Sequence, residues 1–140
     1  MAKILIIDDQ PYVRELLSEE LTDEGHRVAN AGDAKSALKR LKASSPDLVV
    51  LDLYLEGANG FGVLHRIKKQ HPGLPVVIFT AYDSYVDDPR LSQADGYAIK
   101  SPDLRPLKEK IANLLGGKRR LPVKVESESR FYKFEPSPGV

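Results

Sequence analysis

Five polar residues, standing at the ends of four short apolar runs, could together carry phosphoryl chemistry. Asp8 and Asp9 follow KILII (3–7), Asp52 follows DLVVL (47–51), Thr80 follows PVVIF (75–79) and Lys100 follows GYAI (96–99). If these runs are parallel strands of one open sheet, their carboxy-terminal tips share an edge, the edge at which such sheets bind ligands. Three carboxylates, a hydroxyl and an ammonium then meet in one pocket. Carboxylates that close repel one another, so they need a cation or must hold protons. Oxygen donors without cysteine or suitably spaced histidine favour a hard ion, Mg²⁺ first and Mn²⁺ as the alternative. The lysine offers a point charge to a phosphoryl oxygen, and the threonine offers a hydrogen bond to another. Such a set can bring a carboxylate oxygen in line with phosphorus while cations neutralise the equatorial oxygens. The expected covalent product is an aspartyl phosphate.

Parallel strands need crossover helices, and the intervening stretches supply them. Gln10 to about Glu24 carries Val13, Leu16, Leu17 and Leu21 at helical spacing, with Pro11 in the first turn and Gly25 at the end. His26–Asn30 is a weaker strand. Asp33 can cap a helix bearing Ala37, Leu38 and Leu41. Gly60–His71 reads as a helix through Phe61, Val63, Leu64 and Ile67, and Asp103 can cap another that runs to about Leu115 before Gly116-Gly117 stops it. A further helix is expected within Asp83–Gln93, although Pro89 lacks an amide proton and biases Asp88 away from helical dihedrals. Five strand–helix units predict an α/β fold with a doubly wound, five-stranded parallel sheet and helices on both faces.

The chain has 140 residues, no cysteine and a formal net charge of +1. That length suits one domain with a real core, and disulfides and thiolate metal sites are excluded. No run suits a signal peptide or a membrane span, so a cytoplasmic location is expected. Residues 1–115 carry 15 Lys/Arg against 17 Asp/Glu, and 116–140 carry 6 against 3. The basic excess is therefore small and terminal, too small to argue for a DNA-binding surface, and no direct contact with nucleic acid is expected. His26, His65 and His71 lack metal-ligand spacing and are expected at the surface. Taken singly, Asp8 or Asp9 would read as a helix cap, Asp52 as a loop residue, Thr80 as a strand end, Lys100 as a solvated charge and Tyr97 as packing. Their joint order carries the functional reading.

The elements IIDDQ (6–10), LVVLDLYLEGANG (48–60), VVIFTAY (76–82) and GYAIKS (96–101) resemble the receiver domains of two-component response regulators, over residues 1–115. The resemblance implies the flavodoxin-like strand order 2-1-3-4-5 and a switch rather than a classical enzyme. A histidine kinase or phosphotransfer protein would phosphorylate it, and it would assist its own phosphotransfer and autodephosphorylation. By that likeness Asp52 is the phosphoacceptor, Asp9 a direct Mg²⁺ ligand, Asp8 the holder of the metal's water shell, and Tyr54 the source of a backbone carbonyl ligand. Lys100 pairs with the phosphoryl group. Thr80 moves to bond it, and Tyr97 is the aromatic ring that turns inward in response. Ala81 is the small residue beside the phosphoryl group, and Gly60 matches the turn glycine.

Three departures stand out. Glu56 replaces a common proline, and Ser101 separates Lys100 from Pro102 where the family usually has Lys-Pro. Tyr54 and Tyr82 put bulky rings at variable positions flanking the acceptor, which suggests slow hydrolysis of the acyl phosphate. A hydrolase of the haloacid dehalogenase type would want a second Asp two residues past Asp52, where Tyr54 stands; a receiver that never takes phosphate would not need the full acidic set. The domain is expected to span 1–117. The remainder, 118–140, reads as an extended or disordered basic and aromatic tail whose FYKF (131–134) is a candidate docking peptide. With so few residues after Leu115, a single-domain, chemotaxis-regulator-like receiver is expected. It would dock a downstream protein or pass phosphate onward, as a monomer or weak dimer, without contact to membrane.

Overall fold

Lys3–Ile7 (β1), Leu48–Leu51 (β3) and Val76–Thr80 (β6) form the centre of a parallel sheet, and their unbroken apolarity has a geometric cause. Successive side chains of a strand point to opposite faces, so a strand covered on both sides must be apolar at every position. Leu5, Ile7, Val49, Leu51, Val76 and Ile78 enter one core, with Ala37 and Leu41 of helix α2 (Ala34–Ser44) and Val63, Leu64 and Ile67 of α3 (Gly60–Gln70). Ile4, Ile6, Leu48, Val50, Val77 and Phe79 enter the other, with Val13, Leu17 and Leu21 of α1 (Pro11–Asp23) and Leu107 and Ile111 of α4 (Arg105–Gly117). The computed structural model describes residues 1–83 and 85–117.

With Arg27–Ala31 (β2) and Gly96–Ile99 (β7) at its edges, the sheet runs β2-β1-β3-β6-β7, all parallel. Counting sheet strands alone, this is the expected order 2-1-3-4-5. Ile7 pairs with both Ala31 and Leu51, and Thr80 pairs with Ile99, so the strand tips end together. A separate two-stranded antiparallel ribbon, Tyr54–Leu55 (β4) and Ala58–Asn59 (β5), lies between β3 and α3. Gly57, at φ +72°, makes its turn, a conformation that side chains with a Cβ rarely adopt.

Two expectations need correcting. The helix expected within Asp83–Gln93 is only a 3₁₀ turn at Pro89–Leu91. Asp88 takes extended dihedrals ahead of the proline, and its carboxylate accepts the Arg90 N–H at 2.9 Å, so the chain turns there instead of winding on. The segment still covers the sheet: Leu91 is buried in the first core, with Tyr85, Ala94 and Tyr97 against it. Asp95 anchors its end by accepting the Val76 N–H at 2.8 Å and the Lys68 ammonium at 2.7 Å. Secondly, α4 continues through Gly116 and Gly117 instead of stopping before them. Glycine lowers helix propensity by about 1 kcal/mol without forbidding helical dihedrals. The tail expected over 118–140 lies outside the described residues.

Gly60 fixes the entry of α3 to the strand tip beside it. Its N–H donates to the Leu53 carbonyl at 2.9 Å, and a Cβ there would lie 2.5 Å from the Asp52 carbonyl oxygen and 2.5 Å from Leu53 Cα. These are backbone atoms that cannot swing away. Gly60→Ala is expected to destabilise the fold by about 1–3 kcal/mol, the usual cost of overpacking. Urea unfolding checks this, and an unchanged midpoint would contradict the contact.

Candidate functional site

The shared strand edge brings the five sequence-selected residues together. Asp8 continues β1, its N–H donating to the Ala31 carbonyl at 3.1 Å, and Asp52 continues β3, its N–H donating to Ile7 at 3.0 Å. Both are buried, at 2% and 4% exposure, so neither carboxylate can rely on bulk water. Lys100 reaches over them from β7. Its ammonium lies 2.8 Å from Asp8 Oδ2 and 3.1 Å from Asp52 Oδ2, and donates to Gln10 Oε1 at 3.1 Å. Asp9 is half-buried and forms no ion pair among the described residues.

The electrostatics follow from this crowding. Burial pushes the Asp8 carboxyl above its ordinary value, and nearby Asp52 adds to the rise; hydrogen bonds from Lys100 and Gln10 offset it only in part. Desolvation works against the Lys100 ammonium too, yet Asp8 and Asp52 outweigh it and hold that pKa above the ordinary lysine value. One ammonium thus faces three carboxylates. One oxygen from each of Asp8, Asp9 and Asp52 lies within 4.8 Å of the others, a spacing and donor chemistry that fit a hard divalent cation.

Thr80 adds an independent sign of an absent ligand. It is fully buried, and its hydroxyl has no hydrogen-bond partner among the described residues. Its backbone is committed, the carbonyl accepting the Lys100 N–H at 2.7 Å. A buried hydroxyl without a partner is costly and uncommon, and it suits a group waiting for an anionic oxygen.

Tyr54 opens the β4–β5 ribbon, opposite Asn59, and its N–H lies 3.4 Å from Asp52 Oδ1. Tyr97 is half-buried on β7, and its hydroxyl donates to the Tyr82 carbonyl. Burial, with Asp83 nearby, raises the Tyr97 pKa and keeps the phenol protonated as a donor. Ala81 is exposed beside Thr80. His65 and His71 are exposed as expected, whereas His26 is half-buried and its Nδ1 accepts the Ala2 N–H at 3.3 Å.

Sequence reasoning missed three supporting residues. Gln10 shares the Lys100 ammonium, and Arg14 donates to the Asp8 carbonyl at 2.7 Å. Gly32 leaves room for Arg14, since a Cβ there would lie 2.8 Å from its guanidinium. Gln10 adjoins the Asp8-Asp9 pair in sequence, and nothing in the spacing marks the other two.

Comparisons with known proteins agree with this geometry. A family model described as the response regulator receiver domain matches residues 4–112. The transcriptional regulatory protein AfsQ1 of Streptomyces coelicolor is 38% identical over 117 residues, 82% of this chain and 52% of that protein. The probable transcriptional regulatory protein TcrX of Mycobacterium tuberculosis is 40% identical over 84 residues, 60% of this chain and 36% of that one. The matches thus span between 36% and 52% of the length of these curated relatives. Among solved structures, the response regulator TrrA of Thermotoga maritima in complex with Mg(2+)-BeF superposes with a TM-score of 0.78 at 38% identity, over 81% of this chain and 99% of that one. TrrA in complex with the histidine kinase ThkA gives 0.77 at 39%, over 82% and 99%.

The raised Asp8 pKa has a stability consequence. A carboxyl whose folded pKa lies above its unfolded value favours the fold while protonated, and that contribution is lost as pH rises through the folded pKa. Wherever Asp8 is ionised, its charge therefore opposes folding. Asp8→Asn keeps an oxygen for the Gln10 N–H and removes the charge. It is expected to melt higher than wild type in metal-free neutral buffer and to rise less than wild type when Mg²⁺ is added, as read by thermal unfolding with and without chelator.

Proposed function

The chain belongs to the response regulator receiver domain family, and from that premise we propose that it is a phosphorylation switch whose acceptor is Asp52. What carries the reading is the gathering of Asp8, Asp9 and Asp52 within metal-holding distance beside Lys100. The donor would be a histidine kinase or a phosphotransfer protein, a proposal supported by the likeness to TrrA, which has been solved with a histidine kinase. An Asp52 carboxylate oxygen attacks phosphorus, the phosphorus–nitrogen bond to the donor histidine breaks, and its electron pair returns to the imidazole. Lys100 then moves from bridging two carboxylates to pairing with a phosphoryl oxygen. The Thr80 hydroxyl gains the acceptor it lacks.

Asp8, Asp9, Asp52 and the Tyr54 backbone carbonyl are the proposed holders of Mg²⁺, or of Mn²⁺. The ion would supply positive charge to the phosphoryl oxygens and relieve the repulsion among the carboxylates. Support comes from the donor set and from the Mg(2+)-BeF complex of TrrA.

Signalling is proposed to proceed by population shift, with the phosphoryl group favouring one arrangement of Thr80 and Tyr97. As a chemotaxis-regulator-like switch the domain would act by docking a downstream protein or passing phosphate onward, in the cytoplasm, as a monomer or weak dimer. No described helix is long and apolar enough to cross a membrane. Transcriptional roles belong to the longer relatives that bear those names. Slow loss of the phosphoryl group is also proposed, because Tyr54 and Tyr82 flank the acceptor.

Incubation with an autophosphorylated histidine kinase and Mg²⁺ is expected to label wild type and leave Asp52→Asn unlabelled. Lys100→Ala is expected to slow transfer about a hundredfold, the usual loss when one charge-stabilising donor is removed. Label that survives Asp52→Asn would overturn the acceptor assignment.

A further inference from the structure

The segment between β6 and β7 carries Tyr82, already proposed to flank the acceptor, and Tyr85, to which the phosphoryl chemistry assigns no role. Tyr54 and Tyr82 each stand two residues past a site residue, and their rings meet edge to face at 5.0 Å and 64°. They are 47% and 53% exposed, so each ring has one side in solvent and one against protein. Such a ring on a two-residue strand would ordinarily sample several rotamers. Here it is tied. The Tyr54 phenol oxygen shares a hydrogen bond with that of Tyr85, and the two rings lie 6.0 Å apart.

Tyr85 is itself anchored. Its half-buried ring packs against the first core and meets Phe61 of α3 edge to face at 5.7 Å and 69°. The Arg90 guanidinium sits 3.8 Å from the Phe61 ring centre, held by Asp88 through Nε at 3.1 Å and Nη2 at 2.7 Å. A continuous set of contacts therefore runs from α3 through Tyr85 to Tyr54 and on to Tyr82. The bond to Tyr85, with burial second, pushes the Tyr54 phenol up to about 12.

We propose that Tyr85 is a positioning residue that acts through Tyr54, holding that ring against Tyr82 across the gap between the two loops bordering Asp52 and so shielding the aspartyl phosphate from water. The inference rests on Asp52 being the acceptor. In hydrolysis a water oxygen forms the new bond to phosphorus, and the bond from phosphorus to the Asp52 oxygen breaks. Its electron pair returns to the carboxylate, and inorganic phosphate leaves with the water's remaining hydrogen while one proton passes to solvent. A freed Tyr54 ring opens the approach for that water; an anchored one obstructs it.

Tyr85→Phe isolates the hydroxyl, because the ring contact with Phe61 survives. Wild type and variants are phosphorylated with acetyl phosphate and Mg²⁺ and freed of donor, and the decay of acid-labile phosphoprotein is followed. Tyr85→Phe is expected to shorten the half-life about two- to tenfold, the range of one net hydrogen bond. Tyr54→Phe is expected to match it, and the double variant to go no further, since all three lose the same bond. A merely structural role would lower the melting temperature and leave the half-life alone. A wild-type half-life in Tyr85→Phe, or additive effects in the double variant, would overturn this inference while the acceptor reading stands. Wild type that takes no label, or label retained by Asp52→Asn, would overturn both.

Discussion

Repulsion among carboxylates held at the sheet edge is the constraint around which the site is organised. Asp8 and Asp52 are fixed there by strand hydrogen bonds and cannot retreat into solvent. Lys100 is the only cation that reaches both among the described residues, and it leaves Asp9 unanswered. The fold therefore tolerates an electrostatic deficit where its chemistry lies, and it is stabilised elsewhere by two apolar layers. Sites that trade stability for readiness in this way are where local rules are expected to break.

The orphaned Thr80 hydroxyl is the same kind of debt in a neutral group. Its partner-free state and the surplus of negative charge call for different things, an acceptor and a cation. A phosphoryl group accompanied by a divalent ion supplies both at once. That one ligand pair resolves two unrelated deficits ties the geometry to the chemistry more firmly than either residue set alone.

Much of this was legible in the sequence, for a physical reason. Strands buried on both faces are written as short unbroken apolar runs, and each run here ends abruptly at the polar residue that matters: Asp8, Asp52, Thr80 or Lys100. Parallel topology then forces those ends together whatever the intervening sequence. Side-chain reach is not written that way. Gln10 meets Lys100 across 90 residues, and Tyr54 meets Tyr85 across 31, with no periodicity to announce either. The segment from 83 to 93 misled because its length suits a crossover helix, whereas the Asp88-Pro89 pair decided the local dihedrals.

The doubly covered strands carry one more consequence. Where a strand is apolar on one face only, a slip of one residue exposes the wrong side chains and is penalised at once. The LVVL of β3 is apolar throughout, so shifting it would exchange one buried set for another with little loss of burial. Polar contacts at its two ends help to hold its alignment: the Asp47 N–H on the Lys3 carbonyl at 2.7 Å, and the Asp52 N–H on the Ile7 carbonyl at 3.0 Å. A slip would carry Asp52 about 3.3 Å along the strand axis, out of step with Lys100. A single inserted residue in that strand could therefore leave a folded protein that has lost its chemistry.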